Sequence, residues 1–219
     1  MGTFSSSPQS TYSVRLLRPI GQLVRQGQYG SPVLDAALAW LDLLGRDALV
    51  PVLTAHALLD LITTITKNPS LGVRAAVQTA PRRRRPALGE SLSTVGSSIE
   101  RACQRLRALS DGTECKLELH SGNALLRLEN SVRLPALGED YQTCSVLAQL
   151  QGAWPNRLRE SLDIWFRHPE PMALGEYRKV VSGARLHFGA RLSGFSFPAR
   201  FLDLPLGRAR VRPAALCEV

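Results

Sequence analysis

The spacing of apolar residues changes once along this chain, near Gly112, and that change constrains the fold more than any other feature. Before it, apolar side chains recur at helical intervals. After it, Cys115, Leu117 and Leu119 alternate with Lys116, Glu118 and His120. A 3.6-residue period lays a stripe along a helix, whereas a period of 2 puts alternate residues on one face of a strand. Helices first and strands afterwards predict an α+β fold: an N-terminal helical half packed on a small, mostly antiparallel sheet with two further helices.

In the first half, Ser31-Pro32 predicts a helix start, since serine caps and proline fits the first helical position. Val33, Ala37, Leu38, Leu41 and Leu44 are then expected on the buried face, with Gly45 closing the helix. Thr54 is expected to cap a second helix carrying Ala55, Leu58, Leu59, Ile62 and Ile65, which Asn68-Pro69 stops. A short helix is expected over 70–78 and a longer one over 98–109, capped by Ser98. In the second half, Ser121-Gly122-Asn123 is the turn of a hairpin with one wet face. Helices are expected over 139–151 and 174–181, and strands over 162–168, 185–188 and 194–197.

Residues 1–13 have the composition of a flexible leader. A single domain is expected over 14–210, with a helical half (14–112) and a sheet-containing half (113–210), and 211–219 as a tail or the start of a linker. Apolar types make up 44% of the 219 residues and charged types 21%, which suits one packed core and excludes a disordered chain, a collagen or a coiled coil. The most apolar stretch, Ala48 to Thr66, is broken by Pro51, His56 and Asp60, so no membrane association is expected. The first residues lack a secretory pattern, and a cytoplasmic location with free, mostly buried thiols follows.

Lys and Arg number 27 against 18 Asp and Glu, a formal charge of +9. Arg82, Arg83, Arg84 and Arg85 lie between Pro81 and Pro86, which suggests an exposed loop. Such a run suits phosphate, and a stand-alone basic nucleic-acid-binding protein is one alternative reading; no groove-reading element accompanies it. The four cysteines are far apart and the four histidines stand alone, so no metal is expected. Neither a nucleophile elbow nor a phosphate-cradling glycine loop occurs, so no enzyme and no cofactor are expected. His168 ends the predicted strand at Trp165-Phe166-Arg167-His168-Pro169, placed to meet a ligand, to act as a base in an unrecognised enzyme site, or to bond the following loop. Glu139 with Asp140 and Glu170 with Glu176 are candidate paired carboxylates, though each pair has a simple explanation as surface charge. Aromatic residues, among them Trp40, Tyr141, Trp154, Trp165, Tyr177, Phe188, Phe195 and Phe197, suit either a core or a pocket for a small organic ligand.

Several segments together resemble the N-terminal effector-binding domain of AraC-type transcriptional regulators, in the branch with an arabinose-binding-like sensor rather than a cupin. Pro69-Ser-Leu-Gly-Val-Arg74 is similar to the family's proline–LGLR block. Leu88-Gly89, then Ser98 to Leu106 and Ser110-Asp-Gly112, follow its next segment. Phe166-Arg-His-Pro-Glu-Pro171 with Tyr177-Arg178 and Leu186-His-Phe188, and Phe197-Pro-Ala-Arg-Phe-Leu-Asp-Leu-Pro-Leu206, match its two later blocks. The likeness spans about residues 14 to 207. Glu90 departs from the family's aromatic at that place, and the arginine run looks like an insertion. The resemblance implies a sensor and homodimerisation domain that binds a small organic effector. DNA would be read only by a C-terminal helix-turn-helix half beyond this chain. Effector binding is then expected in a cavity between the two halves. Trp40, Trp165, His168, Tyr177 and Phe195 are the candidate ligand-binding residues by position and chemistry. A small-molecule binder without a regulator partner is the remaining alternative.

Overall fold

The computed structural model describes residues 10–79, 94–151, 154–172, 174–181 and 183–206. The chain enters through β1 (Thr11–Ser13), which continues directly into α1 (Val14–Gln26). Neither is expected from the sequence. Residues 11–13 fall in the expected leader, yet Tyr12 is buried, and Pro19 obscures an otherwise regular stripe of Val14, Leu17, Ile20 and Val24. Ser13 caps α1 by accepting from the Arg15 amide.

Next comes α2 (Pro32–Leu43), with Ser31 as cap as expected. Its buried face is Leu34, Leu38 and Leu41, while Val33 is 64% exposed and Leu43 is also at the surface. Leu38 and Leu41 are inside as expected, but the helix is apolar around most of its circumference, so periodicity alone puts Val33 inside where Leu34 belongs. Packing on α1 selects it. β2 (Leu49–Pro51) pairs antiparallel with β1 and leads into α3 (Val52–Thr66), which begins before the expected Thr54 cap. Lys67, in the left-handed region, ends it. α4 (Leu71–Thr79) follows, and α5 (Val95–Leu109) is capped by Thr94 rather than Ser98.

The hairpin forms as expected from β3 (Thr113–His120) and β4 (Asn123–Asn130), with both turn residues, Ser121 and Gly122, at positive φ. The long helix α6 (Ala136–Gln151) and the single turn α7 (Asn156–Arg159) precede β5 (Asp163–Trp165). β5 is shorter than the 162–168 strand expected. α8 (Gly175–Val180), β6 (Arg185–His187) and β7 (Ser193–Pro198) complete the order, followed by a 3-10 turn. The sheet runs β3-β4-β7-β5-β6, antiparallel throughout except at β5/β6. This is the α+β arrangement of a helical part on a mostly antiparallel sheet.

One face of the sheet joins the core: Leu126 and Leu128 of β4, Ile164 of β5, and Phe195 and Phe197 of β7. Trp154 packs against Phe195 and Phe197, with ring centroids 5.9 and 5.8 Å away. A single buried cluster runs from Tyr12 to Phe201 and includes residues of both halves. α6 joins them along its length, with further contacts of α5 on β3 and α4 on α8. Along one side it packs on α4, where a Cβ at Gly72 would lie 2.2 Å from the Leu137 carbonyl, so only glycine permits the approach. At its centre, buried Gln142 donates to Tyr12 Oη (3.3 Å) and Thr113 Oγ1 (3.2 Å) and accepts from Asn130 Nδ2 (3.0 Å). A buried amide with all these partners costs little and ties β1, β3, β4 and α6 in one geometry.

Candidate functional site

The densest chemistry lies where α6 meets the segment leaving β5. Asp140 is 0% exposed and Glu139 2%, so this acidic doublet is not the surface pair expected from sequence. Two buried carboxylates require partners. A matching doublet supplies them: Arg167 pairs with Glu139, and His168 with Asp140. Ser193 Oγ also donates to Glu139, at 3.2 Å.

His168 uses both ring nitrogens. Nδ1 lies 2.8 Å from the Pro169 carbonyl and Nε2 lies 2.7 Å from Asp140 Oδ1. A carbonyl only accepts, so Nδ1 carries a hydrogen, and one further proton is held between Nε2 and the carboxylate. Tyr177 Oη, from α8, donates to Asp140 Oδ2 at 2.5 Å. Burial penalises the imidazolium, but the hydrogen bond and charge of Asp140 prevail and hold His168 above its ordinary value. Burial likewise raises Asp140, against the pull of His168 and Tyr177. Burial and then the adjacent Asp140 charge push the Tyr177 phenol far up. With both nitrogens committed, His168 has none left to act as a base on a ligand. It positions the segment instead.

That segment carries an aromatic stack toward the surface. Phe166 lies parallel to Phe188, with centroids 5.2 Å apart, and Tyr177 meets both rings edge-on. The Gly189 amide donates to the His168 carbonyl (2.9 Å), which fastens the loop after β6 to the segment after β5. Above this base opens a recess of about 400 Å³, within the range typical of small-molecule sites. Leu174 and Arg178 form its α8 wall; Ala184, Leu186, Phe188 and Gly189 form the β6 side; Pro169 and Glu170 close the third. It lies within the second half, not between the two halves as expected. A smaller recess of about 310 Å³ lies between α1 and α2, beside Tyr29, Leu34 and Leu38.

The five candidate ligand residues are thus dispersed. His168 and Tyr177 come together, joined through Asp140, underneath the larger recess. Phe195 is fully buried in the core beside Trp154. Trp165 is on the outer face of the sheet, stacked on His187 (4.1 Å between centroids), with its indole N–H toward Ser196. Asp163 accepts there from Arg185 and His187, and Arg185 foremost holds its carboxyl below the ordinary range. Trp40 is 37% exposed on α2, remote in sequence and element from the recess. Arg82, Arg83, Arg84 and Arg85 lie outside the described residues. Sequence reasoning did not single out Asp140, Glu170, Leu174, Arg178 or Leu186 as a site. The one available signal was the pairing of two doublets, Glu139-Asp140 in an apolar helix and Arg167-His168 after an apolar strand.

Among the described residues no group of three His, Cys, Asp or Glu could hold a metal, and no helix is long and apolar enough to cross a membrane. Cys103, Cys115 and Cys144 are free and buried.

The sequence matches, over residues 30–206, the family described as the arabinose-binding domain of AraC transcription regulator, N-terminal. No curated protein matches. Among solved structures it is similar to the transcriptional regulator CdpR from Pseudomonas aeruginosa, at 17% identity and a TM-score of 0.39, covering 89% of this chain. The likeness takes in 58% of that regulator's length.

Proposed function

This chain belongs to the family of N-terminal arabinose-binding domains of AraC transcription regulators, and from that premise we propose that it is the effector-sensing domain of a cytoplasmic, homodimeric regulator. A small organic effector binds the recess between α8 and β6. DNA is contacted by a helix-turn-helix half outside the sequence described here. The domain reports its ligand and does not transform it.

The observation that carries this reading is the connection beneath the recess. Arg178 of the wall lies on the same short helix as Tyr177, which Leu174 immediately precedes, and the Tyr177 hydroxyl ends on Asp140 of α6. α6 in turn packs on α4, and α4 on α1. An effector that prefers one placement of α8 therefore biases the placement of α6 and the helical half. Such a population shift is as large as the ligand's differential affinity for the two arrangements, and no larger.

The test is a thermal-shift screen of small metabolites against the chain and against Ala184→Trp, which fills the recess from a partly buried position beside β6. A ligand that raises the melting temperature of the parent chain and not that of the variant supports the assignment. Equal shifts in both place the effector elsewhere and overturn it.

A further inference from the structure

The recess also carries information about the chemistry of its ligand. Charged side chains around it are mostly spoken for: Arg167 by Glu139, Lys179 by Glu176 (2.7 Å), and Arg185 by Asp163. Two are not. Arg178 on the α8 wall and Glu170 on the opposite loop line the same recess, and neither has an ion-pair or side-chain hydrogen-bond partner among the described residues. They do not pair with each other either. Between them the surface is apolar, made by Leu174, Leu186 and Phe188.

We propose that the recess accepts an amphoteric small molecule of the amino-acid type, its carboxylate on Arg178, its ammonium on Glu170 and its apolar side chain on Phe188 and the two leucines. This rests on the sensing role proposed above and adds the ligand class to it. A guanidinium offers a fork that matches a carboxylate in two parallel hydrogen bonds, and a carboxylate accepts readily from an ammonium. A molecule bearing both charges brings two separated, hydrated groups into one neutral arrangement. A plain organic acid is treated differently. It gains Arg178 but meets the Glu170 charge, and that repulsion discriminates against it. A plain amine faces the converse. The excess of positive charge over the whole chain, +9, draws anions in general, so Glu170 is the element that makes the recess selective. The Phe166–Phe188 stack and the Gly189–His168 backbone bond hold the recess floor in place before any ligand arrives.

The experiment is isothermal titration of the 219-residue chain with L-phenylalanine, phenylpropionate and phenethylamine, which share one apolar group and differ in charge. L-Phenylalanine is expected to bind at least about tenfold more tightly than either analogue, the scale of one charge-assisted hydrogen bond. Glu170→Gln should weaken L-phenylalanine and strengthen phenylpropionate. Arg178→Gln should weaken both and leave phenethylamine unaffected or improved. Both positions are exposed, so melting curves of the variants, expected to match the parent, show that folding is intact. Phenylpropionate binding as tightly as L-phenylalanine, with no response to Glu170→Gln, overturns the amphoteric assignment while leaving an organic-acid sensor standing. Binding by none of the three overturns it as well. The sensing role itself stands or falls separately, on the metabolite screen with Ala184→Trp.

Discussion

Replacing Asp140 in two ways separates the charge of the buried pair from its hydrogen bonds. In Asp140→Ala, His168 Nε2 and the Tyr177 hydroxyl both lose their acceptor inside the protein. Removing one partner of a buried ion pair costs about 3–5 kcal/mol, because the remaining charge is left uncompensated. For a domain of this size, at about 2–4 °C per kcal/mol, the melting temperature should fall by about 6–20 °C. Asp140→Asn has a different outcome. Its amide is able to donate to Nε2 of a neutral imidazole whose Nδ1 hydrogen stays on the Pro169 carbonyl, while its oxygen accepts from Tyr177. All three hydrogen bonds survive and no charge is buried, so the cost should be below about 1 kcal/mol. The pH dependence then distinguishes the two chemistries. His168 is raised above its ordinary 6.5 in the folded chain, so the native state holds a proton that the unfolded imidazole has released. Its stabilising contribution is complete below pH 6.5 and is lost as pH rises from there through the raised value. Asp140, raised too, adds no loss on mild acidification. Of the other groups facing the pair, Glu139 is matched by Arg167, and the Cys144 thiol is pushed up by burial and stays neutral. In Asp140→Asn the loss above pH 6.5 should disappear. Urea denaturation of the three chains between about pH 5 and 9 measures this, the observable being each variant's difference from the parent. Equal damage from Ala and Asn, or an unchanged loss at high pH in Asp140→Asn, would refute the proton placement.

Other expectations follow from packing. Gly72→Ala should lower stability by about 1–3 kcal/mol or more, since its Cβ meets the Leu137 backbone and not a movable side chain; denaturant unfolding with an unchanged slope m checks this. Trp154→Ala, at a buried ring wedged against Phe195 and Phe197, should cost about 3–5 kcal/mol, and a midpoint shift under about 1 kcal/mol would contradict the packing. Trp40→Ser should leave stability within about 0.5 kcal/mol and leave effector response unchanged, because the indole is half in solvent on α2. Loss of response in that variant would move the site to the helical face.

How far the sequence was legible depended on whether neighbours or the whole fold decided each residue. The β3–β4 hairpin is local: alternation plus a Ser121-Gly122 turn leaves one register, and the structure has it. The Ser31 cap of α2 is local too. α1 was hidden by Pro19, although its stripe is regular: at the sixth helical position a proline removes the amide that would bond the Arg15 carbonyl and ordinarily breaks a helix, yet the buried face of Val14, Leu17, Ile20 and Val24 holds this one together. The inner stripe of α2 was legible at Leu38 and Leu41 but not at its start, where Leu34 and not Val33 turns inward, since the opposite face is nearly as apolar.

By itself the sequence determined the class of fold, the succession of helices then strands from α2 onward, and the family, because periodicity, caps, turns and motif blocks are properties of residues close together in the chain. The burial of Glu139 and Asp140, their match to Arg167 and His168 some 28 residues away, and the recess that brings Glu170 to Arg178 were decided only by tertiary structure. A carboxylate on a helix looks the same in sequence whether water or an imidazole faces it. Its energetics, and with them its role, are set by whichever distant segment folds against it.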